Sequence, residues 1–326
     1  MSSAFLSDLK QFGPQRCEQL SYEQATDYAC RLAHYRYENF TLCSWFLPRR
    51  LRNDLSHVYA FYRWTGDLGD EVGDGSHSIA LLGWWRRELE RCYDGNPQHP
   101  VFIALESTIR RYEIPIDPFG NLIEAVERNQ YITRYATWDQ LLDYCIGIAN
   151  PMGRLLLYLC GHCDAKRQEL AKQVCTALQL VYFWQNMHRD IVKRDRVYLP
   201  SDVAVEHGLS IEQMASAVRI NAAAPLAVHC AACPAPVALT ALRPVLVGAC
   251  RSLVDRTWPL FRAGRRLWPL LESDVRLGLK LFTLGGESTL RRIKRQGYNT
   301  LACRPRLSHS TKLILMFRGF AGKVTG

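Results

Sequence analysis

Apolar residues recur along most of this chain at spacings of three and four, the mark of helices that bury one face. Ser21 can cap the first clear run, which continues through Ala25, Tyr28, Ala29 and Leu32. Pro48 stands where a helix can begin, and Leu51, Leu55, Val58, Tyr59 and Tyr62 mark the next apolar face. Helices are predicted over 78–93, 100–112 and 118–131, divided by turn residues at 94–97 and at Ile114 and Pro115. The apolar segment 138–160 should kink or break at Asn150, Pro151, Met152 and Gly153. A long helix over 166–192 should end near Arg194, Asp195 and Arg196. Segment 221–244 reads as a loop or a broken helix, because Pro225, Pro234, Pro236 and Pro244 interrupt it. Helical patterning resumes at Ala249 and continues through Lys280. No alternating run is convincing as a strand, and no internal repeat is evident. The pattern predicts an all-α fold, read as a single domain over 1–326.

Composition adds boundaries rather than detail. A chain of 326 residues has room for one large helical domain or two ordinary ones. With 48% hydrophobic and 22% charged residues it is globular rather than disordered. No run approaches the roughly 20 apolar residues that span a bilayer. The first residues lack a basic segment followed by an apolar one, so no export signal is read and a cytoplasmic location is expected. The 12 cysteines are then reduced thiols. The pairs Cys160/Cys163 and Cys230/Cys233 lie too far apart for ordinary zinc-ribbon spacing.

The net charge of +10 is concentrated at one end. No acidic residue follows Glu287, whereas Arg291, Arg292, Lys294, Arg295, Arg304, Arg306, Lys312, Arg318 and Lys323 do. The tail from about 288 to 326 admits three readings: a nucleic-acid arm, a surface facing anionic lipid or diphosphate, or a plain solvated tail. Apolar residues between Lys312 and Arg318 suit the second.

Two segments carry chemistry. Asp67, Asp70 and Glu71 stand three and four apart, so their carboxylates share a helix face. Their repulsion invites a cation, and magnesium takes oxygen ligands of this kind. A solvated acidic helix end is the plainer reading. The second segment runs from Gln179 through Tyr182, Phe183, Trp184, Gln185, Asn186, Arg189 and Asp190 to Arg196, Tyr198 and Pro200. Asn186 and Asp190 share a face, and Arg189 and Arg196 can meet an anion. An amphipathic helix with a polar edge would look the same.

Taken together, the two segments resemble the squalene/phytoene synthase family. The approach to the first aspartate-rich motif is similar over Asn39 and Phe40, Pro48 to Leu51 and Tyr59 to Arg63. The second motif, with its Arg-x-Tyr-x-Pro signature, is similar over Gln185 to Pro200. Arg134, Tyr135, Trp138, Tyr144, Cys145, Asn150 to Gly153, and Gln296 to Tyr298 also fit. Phe183, Trp184, Gln185, Asn150 and Pro151 most resemble the bacterial hopanoid branch, the hydroxysqualene synthase type that acts on presqualene diphosphate.

The resemblance implies one all-α isoprenoid-synthase domain around a central apolar cavity, with an aspartate-rich segment on each of two facing helices. It implies Mg²⁺ as cofactor and a prenyl diphosphate, presqualene or farnesyl, as substrate. Carried over by position, it assigns metal binding to Asp67, Asp70 and Asp190, with Asn186 as a neutral ligand and Glu71 as a substitute. Arg63, Gln185 and Arg189 fall to the diphosphate substrate, Arg196 and Tyr198 to closing the site, and Tyr59 to facing a carbocation. Nucleic acid is not expected; pathway-partner enzymes and peripheral contact with the inner face of a membrane are. The sequence departs from the family at four positions. Gly66 replaces the first carboxylate of the first motif, Asn186 an aspartate, Tyr182 an asparagine and Asn129 an aspartate. Three of these remove negative charge, which opens a second reading: a non-catalytic relative that binds a prenyl diphosphate or an active partner enzyme.

Overall fold

A computed structural model of the chain describes residues 3–16, 18–35, 48–73, 75–223, 237–301 and 304–305. Asn39 and Phe40, Pro225, Pro234 and Pro236, Cys230 and Cys233, and the tail from Arg306 through Lys312 and Arg318 fall outside them. The described residues are all-α, as the pattern predicts. In chain order the helices are α1 (Ser3–Phe12), α2 (Tyr22–Tyr35), α3 (Arg52–Asp70), α4 (Gly75–Tyr93), α5 (Pro100–Tyr112) and α6 (Asp117–Arg128). They continue with α7 (Trp138–Leu159), α8 (Ala165–Arg194), α9 (Ser201–Glu206), α10 (Ile211–Ala223), α11 (Val237–Gly264) and α12 (Ser273–Arg295). The chain divides into two compact units: Met1–Ile132, Ile146–Cys175 and Arg266–Leu279 form the first, and Thr133–Cys145, Thr176–Arg265 and Lys280–Gly326 the second.

Local chemistry accounts for the starts of the helices. Ser21 Oγ accepts the Gln24 N–H at 3.3 Å while Gln24 Oε1 accepts the Ser21 N–H at 2.9 Å, a reciprocal cap for α2. Pro48 precedes a 3₁₀ turn over Arg49–Leu51, which leads into α3. His99 caps α5, its Nδ1 accepting the Val101 N–H at 3.2 Å, with Pro100 following at the first helical position. The pattern does not single out α1, which the buried Phe5 and Phe12 hold in place.

Prolines end fewer helices than expected. Pro151 lies inside an unbroken α7. Next to it Gly153 approaches α8 so closely that a Cβ would stand 2.6 Å from Cys175 Sγ, and packing this tight offsets one lost hydrogen bond. The segment 221–244 is likewise helical at both ends, since α10 reaches Ala223 and α11 starts at Val237 and runs through Pro244 and Pro259. The single run expected from Ala249 to Lys280 is instead interrupted by a 3₁₀ turn, Arg265–Leu270, that contains Pro269.

In the first unit α3 is the central helix, packed by α2, α4, α5 and α6. Phe61 and Trp64 on α3 meet Trp85, Phe102 and Phe119, all fully buried, with Phe61 edge-on to Phe119 at 4.9 Å and Trp64 stacked on Trp85 at 5.3 Å. Each such pair adds about 0.5–1.5 kcal/mol beyond burial. The buried indoles are satisfied: Trp64 Nε1 donates to Tyr28 Oη at 3.0 Å and Trp85 Nε1 to Thr65 Oγ1 at 2.9 Å. A polar cluster lies at the start of α3. The Asp54 carboxylate, 2% exposed, accepts from Thr108 Oγ1 (2.9 Å), Arg111 (3.1 Å) and Tyr112 Oη (3.1 Å). His57 Nδ1 stands 2.9 Å from the same Thr108 oxygen, and His57 Nε2 is buried with no hydrogen-bond partner. Burial pulls the His57 imidazole down to about 4.

In the second unit Trp184 Nε1 donates to Thr257 Oγ1 at 3.0 Å, tying α8 to α11. Phe183 stacks face to face on Tyr198 at 3.7 Å and 8°, with Tyr144 and Tyr135 extending the aromatic group. Glu287, 1% exposed, is clasped by Arg265 and Arg291 at 2.6 and 2.9 Å. No described helix is long and apolar enough to cross a membrane.

Candidate active site

The first segment lies at the C-terminal end of α3. Asp67, 5% exposed, is gripped through both oxygens by Arg63, with Nε at 2.7 Å from Oδ2 and an Nη on Oδ1. Asp70 is the last residue of the helix, and Glu71 is its C-cap. A helix C-terminus carries the negative end of the macrodipole, so carboxylates there cost about 0.3–1 kcal/mol each without a compensating cation. The last turn of α3 holds no basic residue. Tyr59 is buried two turns earlier on the same helix.

Two glycines of this segment differ in what surrounds them. A Cβ on Gly69 would stand 2.3 Å from Val126 Cγ1 on α6, so only glycine permits the observed approach of the helices. A Cβ on Gly66 would meet nothing within 4 Å. The missing carboxylate of the first motif is therefore not excluded by packing. Just beyond α6, Asn129 is buried and its Oδ1 accepts no hydrogen bond.

The second segment is the C-terminal part of α8. Asp190, 1% exposed, receives Arg189 at 3.0 Å and has Arg194 at 3.8 Å. Arg189 also donates to Tyr182 Oη at 2.6 Å, and its guanidinium lies 5.4 Å from the centre of the Tyr182 ring. Burial opposes the Arg189 charge, but Tyr182 and Asp190 outweigh it and hold the group above its ordinary range. Asn186, 1% exposed, donates Nδ2 to the Tyr182 carbonyl at 2.7 Å, and its Oδ1 accepts no hydrogen bond. Gln185 donates to the Pro305 carbonyl at 2.6 Å.

The loop after α8 is pinned on both sides. Asp195 takes a left-handed backbone, φ 50°, and receives Arg134 and Arg219. Arg196 N–H donates to the Asp190 carbonyl at 3.0 Å, and Val197, Ser201 and Asp202 N–H groups donate to the carbonyls of Thr133, Tyr135 and Ala136. Arg196 and Tyr198 are thereby fixed and buried, Tyr198 against Phe183.

Within each unit the structure thus brings together Arg63 with Asp67, and Tyr182, Arg189, Asp190 and Arg194. Sequence reasoning overlooked Arg194 and the Arg134–Asp195–Arg219 clamp. The spacing of Arg194, four residues after Asp190, was a usable signal. Among the described residues no three His, Cys, Asp or Glu side chains stand close enough to share one metal ion. The donor set nonetheless fits magnesium, which needs only one or two protein carboxylates beside water and phosphate oxygens. The amide oxygens of Asn129 and Asn186, each buried and accepting no hydrogen bond, are further oxygen donors of the kind such an ion takes.

Comparison with known proteins gives consistent results. A family model described as squalene/phytoene synthase matches residues 33–311, a span that includes parts of both units. Phytoene synthase of Thermus thermophilus is 32% identical over 177 residues, 54% of this chain and 59% of that protein. The 15-cis-phytoene synthase of Synechococcus elongatus is 27% identical over 201 residues, 58% of this chain and 65% of that protein. The chain thus spans about three-fifths of the length of these curated relatives. Among solved structures, squalene synthase HpnC from Alicyclobacillus acidocaldarius is similar with a TM-score of 0.72 and 36% identity, covering 85% of this chain and 96% of that one. A dehydrosqualene synthase at 21% identity and TM-score 0.76, over 94% and 98% of the two chains, shares the fold. A match over most of its length places the family beyond doubt: the chain belongs to the squalene/phytoene synthase family.

Proposed function

We propose that this chain ionises a prenyl diphosphate of squalene or hopanoid formation, with presqualene diphosphate as the substrate and hydroxysqualene or squalene as the product. The observation that carries the reading is the end of α3, where Asp67, Asp70 and Glu71 gather three carboxylates at the negative end of one helix. Asp67, Asp70, Glu71, Asn186 and Asp190 are the residues that would hold Mg²⁺. When bound, Mg²⁺ supplies positive charge to the diphosphate as it leaves. Arg63 orients Asp67 through both carboxylate oxygens. Arg189 and Arg196 offer guanidinium N–H groups to phosphate oxygens. Tyr59 on α3 offers its ring to the carbocation left behind, a contact worth about 0.5–2 kcal/mol. Farnesyl diphosphate is the alternative substrate. Contact of the basic tail with a membrane, a cytoplasmic location and pathway-partner enzymes belong to the same proposal.

A second reading is favoured by Gly66 and Asn186: a relative that binds the diphosphate or a partner enzyme without turning it over. Product analysis with presqualene and with farnesyl diphosphate, each with and without Mg²⁺, separates the two. Asp190→Ala should abolish Mg²⁺-dependent turnover without loss of helical content. Wild-type turnover in that variant would sink the site assignment. Folded wild type that converts neither substrate at high Mg²⁺ would make the second reading the better one.

A further inference from the structure

We propose that Tyr182 is a positioning residue that makes Arg189 a metal-independent ligand for the diphosphate, so that a fixed guanidinium replaces part of the metal charge. The inference rests on the prenyl-diphosphate reading and gives that site a second source of positive charge.

Tyr182 holds Arg189 in two ways. Its hydroxyl accepts from an Arg189 Nη at 2.6 Å, and its ring lies under the guanidinium at 5.4 Å. The same Nη and Nε also reach Asp190 Oδ1, at 3.0 and 3.2 Å. One edge of the guanidinium is therefore fully used. The other Nη makes no hydrogen bond among the described residues, and the Arg189 side chain is 33% exposed. A guanidinium held along one edge, with donors remaining on the other, is arranged for a phosphate oxygen.

Charge at position 186 bears on the same guanidinium. Arg189 and Arg194 stand 3.0 and 3.8 Å from the Asp190 carboxylate. An aspartate at 186, one turn before Asp190, would add a negative charge that disfavours an anion unless a metal stands between them. Asn186 adds no such charge. The departures at 182 and 186 thus act in one direction: each favours direct binding of an anion by arginine.

The test is calorimetric titration of the full chain with inorganic pyrophosphate, once in EDTA and once in Mg²⁺. Wild type should bind pyrophosphate in EDTA. Tyr182→Phe, which keeps the ring and removes the hydroxyl, should weaken that binding about tenfold. Asn186→Asp should weaken binding in EDTA and strengthen it in Mg²⁺, a crossover that a merely structural role would not produce. Failure of wild type to bind in EDTA would overturn the proposal. So would unchanged binding in both variants, which would mark adventitious binding to the basic tail. Turnover with Mg²⁺ but no binding in EDTA would leave the functional reading standing and sink this inference alone. Binding in EDTA with the expected variant pattern, but no turnover, would keep the inference and remove the enzymatic reading.

Discussion

Lowering the pH from about 7.5 to about 5 loads a proton onto a histidine of the unfolded chain, but not onto His57 of the folded one. Thr108 gives its hydroxyl proton to Asp54, so its oxygen can only accept from His57, which fixes the proton on Nδ1. Nε2 is left as a bare lone pair in a buried place with no partner, and a proton there would have nothing to bond. Burial accordingly pulls this imidazole from 6.5 to about 4. The folded-state value is depressed, so the unfolded state binds more protons, and stability present above about pH 6.5 is lost as the pH falls toward 4. At about pH 5 the loss from this group amounts to about 2 kcal/mol, with little change left at about pH 7.5. His99 is held neutral by burial as well, and its share is the same in wild type and variant. Urea unfolding followed by circular dichroism at both pH values, for wild type and His57→Asn, isolates the effect. The variant keeps an N–H donor for Thr108 and does not titrate, so its stability difference between the two pH values should be smaller by about 2 kcal/mol. An identical pH dependence in the two proteins would refute the buried, singly bonded assignment of His57.

Two further substitutions test the carboxylate segment. Gly66→Asp places a side chain in open space, so the folded protein should tolerate it, and its Mg²⁺ affinity should rise at least about tenfold, read as a larger Mg²⁺-induced rise in melting temperature. No gain in Mg²⁺ response would show that Asp67 and Asp70 do not form a metal site. Gly69→Ala forces a Cβ to within 2.3 Å of Val126 Cγ1 and should cost about 1–3 kcal/mol in a denaturant titration. Val126→Ala in the same chain should return part of that loss, and strict additivity of the two would count against the contact.

What could be read from the sequence depended on how local its cause was. Pro100 with turn residues on either side marks α5 to the residue, because a proline at the first helical position acts within one turn. Pro151 and Pro244 were misleading for the complementary reason: a proline removes one local bond, and contacts distant in sequence decide whether the helix survives it. The aspartates of the site were visible because carboxylates three and four apart must share a face. Their partners were harder to see. Tyr182 and Arg189 lie seven apart, with two full turns between them, and nothing in the spacing says that the long arginine folds back to the ring. The Asp54–Thr108 bond joins residues on different helices, and no periodicity predicts it. Departures from the family pattern were the most useful signal, since each change of charge could be followed to a definite neighbourhood.

The contrast between Gly66 and Gly69 also bears on how this chain can change. Every glycine codon is a single base substitution away from an aspartate or a glutamate codon. At position 69 such a step collides with Val126, so the fold itself removes it. At position 66 an added Cβ meets nothing within 4 Å, so packing does not bar a carboxylate from returning in a single step. Steric fit is therefore not what keeps glycine at 66, and a library randomised at that one codon under selection would reveal what does.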